Sequence, residues 1–194
     1  MIINEKGLAR ALKLAYKHGG YTLIANGEQI ILFTEGWYLQ CDKDKFPRKA
    51  LATIVEHMGT LPTTADALSI ADGEEPQVVM PEVAGQDVSS WESGQAEGTA
   101  SMVPFIVWGM QLYQVADGAG PCYGVDPVAL AVTERDIAGQ AAAAVLGDGR
   151  LKWEHDGEKV IVGAVRPAGR YWDRPWQQEV WAALEAVDLH RKEA

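Results

Sequence analysis

Lys6, Arg10, Lys13 and Lys17 recur at i, i+4, i+7 and i+11 near the start of the chain. A helix turns through about 100° per residue, so the four cations fall within about 60° of one face. Such a line can hold phosphates along a nucleic-acid backbone without reading the bases. It can equally be the solvated face of a surface helix. Trp91 is the second residue whose type and setting suggest contact with something outside the chain. It lies in GQDVSSWESGQAEGTAS, which reads as an irregular loop. An indole exposed there can stack on a sugar, a base or a partner side chain, or it can pin the loop to the body of the protein.

Other chemistry has little foothold. No Ser stands in a Gly-x-Ser-x-Gly context, and Cys41 and Cys122 have neither a neighbouring His nor a Cys-x-x-Cys spacing. His18, His57, His155 and His190 are scattered singly, and each reads as a surface or capping residue. Asp42 and Asp44 in CDKDKF lack the glycine and the later Glu of a calcium loop. GAGPCYG misses both the dinucleotide and the P-loop spacing, and reads as a turn. The expectation is therefore a chain with no catalytic, cofactor-binding or metal-ligating set.

The net charge of −10 is unevenly spread. Residues 1–60 carry eight Lys/Arg and six Asp/Glu, whereas residues 61–140 carry one and twelve. The acid is concentrated in the middle, which repels phosphate there and lends solubility. Two cysteines in 194 residues suit a reducing compartment. The N-terminus has no basic start followed by an apolar run, and the longest small-apolar stretch, AAAAVL, is too short to span a bilayer. These features predict a cytoplasmic protein without a membrane partner.

The elements that must position the candidates follow from periodicity and punctuation. Residues 5–18 read as a helix with Asn4 as N-cap and Gly19-Gly20 as stop. YTLIAN and EQIILF flank Asn26-Gly27 as a hairpin, WYLQCD is a third strand, and FPRKALATIVEHMG is a Pro-started helix with Leu51, Ile54, Val55 and Met58 on its apolar face. ALSIADG and QVVMPEV read as short strands, and PFIVWGMQLYQVADG as two more. VALAVTE is ambiguous between strand and helix, and ERDIAGQAAAAVL reads as a helix ended by Gly147. DGEKVIV at 156–162 then repeats NGEQIIL at 26–32. Ala11, Gly19, Asn26, Gly27 and Glu28 align without gaps on Ala141, Gly149, Asp156, Gly157 and Glu158. A last helix, opening near Trp172 and Pro175, places Trp176, Val180, Ala183, Leu184 and Val187 on one face, expected to be core. The sum is an α+β fold of two related helix–β-hairpin–helix modules, residues 1–62 and 134–194, with antiparallel sheets and helices on one side. An acidic linker with a loop and a strand pair, residues 63–133, joins them.

The stretch TLIANGEQIILFTEGWYLQCDKDKFPRKALATIVEHMGTLP resembles the modules of DNA polymerase sliding clamps. In that family a helix precedes a strand, a Gly turn, a strand ending in a Thr-Asp-type step, another strand, and a Val/Phe-Pro-x-Lys helix ending near Leu-Pro. Thr34-Glu35 stands where the step would fall, and FPRKALATIVEHMGTLP where the closing helix would. The resemblance covers about residues 1–62, and more faintly 134–190. It implies a non-enzymatic interaction or scaffold protein from a replication, phage or mobile-element setting, with DNA or a protein as partner and a homo-oligomer as working form. In it Lys6, Arg10, Lys13 and Lys17 face the DNA backbone. The alternative is a small-ligand or carbohydrate-binding protein, or an enzyme, that uses Trp91 and the acidic loops.

Overall fold

The computed structural model describes residues 1–61, 67–166 and 174–190. Pro62, Trp172 and the terminal Arg191-Lys192 lie outside them. In chain order the elements are α1 (Glu5–Lys17), β1 (Tyr21–Asn26), β2 (Gln29–Phe33), β3 (Trp37–Asp42), α2 (Arg48–Met58), β4 (Ala67–Ile70), β5 (Gln77–Val79), α3 (Pro81–Glu92), β6 (Ala96–Val107), β7 (Met110–Val115), β8 (Cys122–Val125), α4 (Pro127–Leu130), α5 (Arg135–Gln140), β9 (Ala143–Leu146), β10 (Leu151–His155), β11 (Glu158–Val162), β12 (Ala164–Val165) and α6 (Pro175–Glu185). Among the described residues, all twelve strands join one antiparallel sheet in the order β12-β8-β7-β6-β9-β10-β11-β3-β2-β1-β4-β5.

The two similar hairpins sit in that sheet on either side of β3, because β3 pairs with β2 on one edge and β11 on the other. Residues 63–133 supply β4–β8 and α3 to the same sheet and its faces. At one end the sheet curls. β12 follows β11 after Gly163 and pairs with β8, so the run from β8 through β7, β6, β9 and β10 returns to its own continuation. Tyr113 on β7 and Trp153 on β10 lie three strands apart, yet their rings meet edge to face at 5.8 Å across the curl. Both reach toward α5: Tyr113 donates to the Ala138 carbonyl at 2.8 Å and the Trp153 indole to the Ala141 carbonyl at 3.3 Å.

Neighbouring residues on a strand face opposite sides, and the core divides accordingly. Ile30 and Leu32 of β2 pack with Leu8 and Leu12 of α1 and Ile54 of α2, while Ile31 and Phe33 pack on the other face with Val88 and Trp91 of α3. α6 covers that second face further along, where Trp181 meets Leu112 and Cys122. Helices therefore occupy both faces, not one as expected.

Several local expectations are also corrected. The irregular loop expected over 85–101 is largely the second half of α3 and the start of β6, so Trp91 stands on a helix. QVVMPEV is split between β5 and the first turn of α3. The helix expected over 134–146 ends at Gln140, and its Ala-rich second half is β9, paired with β6 on one side and β10 on the other. Alanine is the best helix former, but propensity is a weak determinant, and two strand edges awaiting a partner override it. On α2 the buried residues are Ala50, Thr53, Ile54 and Met58, with Val55 exposed.

The repeated phrase turns differently in its two copies. In the first, Asn26 pairs with Gln29 and the loop is Gly27-Glu28, with positive φ only at Gly27. In the second, His155 pairs with Glu158 and the loop is Asp156-Gly157, with positive φ at both residues. The turn has moved by one residue and the pairing by two. An even shift preserves the faces, so Leu23 and Trp153 both point into the same core.

Candidate nucleic-acid interface

α1 forms as its punctuation predicts. The Asn4 side chain accepts from Gly7 N at 2.8 Å, satisfying a free amide of the first turn, and Glu5 and Lys17 stand at the ends the helix dipole favours. Gly20 N closes the far end on the Ala15 carbonyl at 2.8 Å. Leu8, Ala11 and Leu12 are buried, and fully burying each of the two leucines contributes about 1.5–3 kcal/mol. Gly7 lies against the end of α4, where a Cβ would come within 1.7 Å of the Ala131 carbonyl oxygen.

The opposite side of α1 is the basic line. Lys6, Arg10, Lys13 and Lys17 are all exposed. Among the described residues, only Lys13 of the four has an ion pair, with Glu56 at 3.6 Å and both side chains mostly in solvent. α2 runs parallel to α1. Lys49 N meets the Glu5 carboxylate at 3.2 Å near the start, and the Tyr16 and His57 rings stack at 4.1 Å near the end. This pairing brings exposed Arg48 and Lys49 beside the first turn of α1. Both belong to the Phe-Pro-Arg-Lys opening of α2, which sequence reasoning recognised as a helix start without assigning its cations to the interface.

Charge separates across the sheet. α3, on the opposite face, carries Glu82, Asp87 and Glu92 and no Lys or Arg. Three of the twelve carboxylates in residues 61–140 are thereby placed on the far face, while Asp72 stays by the end of α1, its amide donating to the Tyr16 carbonyl at 2.8 Å. Glu92 is held below the usual carboxylate range. Burial pushes its pKa up, but hydrogen bonds from Lys159 and Tyr38 outweigh it.

Trp91 is half-buried. Its ring lies 6.2 Å from that of Tyr38, and the Arg150 guanidinium sits over it at 5.0 Å. It also borders a cleft of about 470 Å³ between the C-terminal end of α1, the β2–β3 turn and α3, with Glu35, Asp87 and Asp126 among the residues that line it. The structure does not bring Trp91 and the basic line together.

Both cysteines are buried. Burial, reinforced by the Glu158 carboxylate, pushes the Cys41 thiol up to about 12, and burial beside Glu185 pushes Cys122 up to about 11. Both resist becoming thiolates. Among the described residues no group of three or more His, Cys, Asp or Glu could hold a metal ion. No helix there is long and apolar enough to cross a membrane.

No protein-family model, curated protein or solved structure matches the chain.

Proposed function

We propose that the α1–α2 face holds the phosphate backbone of duplex DNA without regard to sequence, in a non-enzymatic interaction protein of sliding-clamp-like build. The observation that carries this reading is the exposed line of Lys6, Arg10, Lys13 and Lys17 on a chain of net charge −10, set on the face opposite the acidic α3. Cations along one helix reach successive phosphates, which carry no sequence information. Arg48 and Lys49 extend the same surface.

The test is fluorescence anisotropy with two labelled duplexes of unrelated sequence across a salt series. Equal affinity for both is expected. The slope of log K against log salt should be about −3 to −4 if the four cations each neutralise a phosphate. Lys6→Glu with Lys13→Glu should abolish binding. Unchanged affinity in that variant removes the helix face from the reading.

A second reading keeps one observation of its own, the 470 Å³ cleft beside Trp91, which is in the range of small-ligand sites. Tryptophan fluorescence that responds saturably to sugars or nucleotides, and loses the response in Trp91→Phe, would favour it.

A further inference from the structure

Trp176, Val180, Ala183 and Val187 recur at i, i+4, i+7 and i+11 along α6 and the turn that ends it. They fall within about 60° of one another at helical periodicity, the spacing along which two helices pack. This apolar stripe, expected to be core, is in solvent. Trp176 is 47 % exposed, Val180 41 % and Val187 51 %. α6 instead rests on the sheet through Trp181, with Leu184 and Leu189, and Trp181 lies about 140° round the helix from Trp176.

Trp108, at the tip of the β6–β7 hairpin, widens the stripe. Its ring meets Trp176 edge-on at 5.9 Å and is itself partly exposed. Trp108 and Gly109 form the two-residue turn, with φ of 50° and 82°. Gly, Asn and Asp enter that conformation readily, whereas a bulky residue there is strained, a cost offset by the stacking of the Trp108 ring on buried Trp181 at 6.0 Å. No charged residue occurs from Gly98 to Ala116 on the hairpin side; on α6, Ala186 flanks the stripe and the exposed Glu179 stands at its edge, three residues after Trp176 and four before Ala183. The Glu185 carboxylate is turned inward to Arg166, the Trp181 indole and Cys122 N.

We propose that this stripe is a self-association surface, occupied by α6 and the Trp108 hairpin of a second copy of the chain across a two-fold axis. An apolar helix face is its own complement, since the same side chains interleave when one copy is turned onto the other. For a protein of net charge −10, a second copy meets least repulsion on the hairpin side of this surface, where the sequence carries no charge from Gly98 to Ala116. The area is also sufficient. The exposed parts of Trp108, Trp176, Val180, Ala183 and Val187 amount to on the order of 400 Å² per copy, taking 150–250 Å² for a whole aromatic side chain. Over both copies this is about 800 Å², and with the bordering residues roughly 1,000 Å², the size of a weak, reversible interface. Such a contact, anchored by two tryptophans from each side, forms a dimer in the micromolar range.

Sedimentation equilibrium of the full chain from about 1 μM to several hundred μM tests this. The mass should rise from 21.1 kDa toward twice that value. Val180→Glu with Val187→Glu, both at exposed positions, should weaken dimerisation at least 100-fold while far-UV circular dichroism and Tm stay those of the parent. If that variant does not fold, Ala183→Arg provides the same comparison with Val180 and Val187 intact. A parent chain that remains monomeric throughout overturns the proposal, as does a folded variant that dimerises as the parent does.

Discussion

Tyr16 and His57 stack nearly parallel, 4.1 Å between ring centres and 12° between planes, joining the ends of α1 and α2. Tyr21 Oη lies 3.1 Å from His57 Nδ1 on the other side. Burial lowers the His57 pKa, helped by Lys13 and opposed by Glu56 and Asp72. In the unfolded chain the imidazole gains its proton near its ordinary value of about 6.5, and in the folded protein only at lower pH. Between those two values the unfolded state binds more protons, so stability falls as pH drops through about 6.5 and levels off below the folded pKa.

His57→Phe keeps the stack and removes the titration. Urea melts of the parent should lose stability relative to this variant as the pH falls through about 6.5. Parallel pH profiles would show that His57 is not depressed.

The ion pair of Glu56 with Lys13 is exposed and contributes little to stability, but it offsets one cation of the basic line. Glu56→Gln should therefore raise duplex affinity about two- to threefold at low salt, with the gain fading as salt rises. Binding isotherms at two ionic strengths check both parts.

Trp91 anchors α3 through Tyr38 and Arg150. Truncating a fully buried Trp costs about 3–5 kcal/mol, and this half-buried one about 2–3. Trp91→Ala should lower the urea midpoint by a matching amount and leave duplex binding unchanged, because α3 and the basic line lie on opposite faces of the sheet. Loss of binding in a folded Trp91→Ala would connect the two sites.

The two hairpin turns give an internal comparison. A non-glycine residue at positive φ costs about 1–2 kcal/mol, so Ala is unfavourable at both Gly27 and Gly157. At Gly27 a Cβ meets nothing within 4 Å, whereas at Gly157 it comes within 2.9 Å of Asp42 Oδ2. Asp42 is itself held by Lys45, which also bonds Asp156. Gly157→Ala should thus destabilise more than Gly27→Ala, as Tm measurements on the pair would show.

Gly7→Ala asks whether α1 is held against α4. A methyl there would overlap the Ala131 carbonyl, so the helix must shift. The expected loss is about 2 kcal/mol or more, well beyond the few tenths that an exposed helical Gly→Ala would gain.

Local interactions made much of the first sixty residues legible. Asn4, Gly19 and Gly20 bound α1 through bonds within a few residues, Gly27 requires a turn, and Pro47 precedes α2. The basic line could be read for the same reason, since four spacings on one helix fix one face. Arg48 and Lys49 could not be added to it, because only the packing of α2 on α1 brings them there. The Ala-rich stretch at 141–146 shows the reverse case. Its propensity is helical, but β6 and β10 each leave an edge for it, and hydrogen bonds on both sides outweigh a weak preference.

Sequence by itself determined which side chains share a face, because helical and strand periodicities are properties of the local backbone. It determined the basic line of α1 and the apolar stripe of α6 equally well. Only the tertiary structure decided what each face meets. α1 buries its leucines and presents its cations to water, while α6 turns Trp181 to the sheet and leaves Trp176, Val180 and Val187 outside. Periodicity names a face and carries no address, and the address comes from strand pairings between residues more than a hundred positions apart, such as Val160 with Leu39.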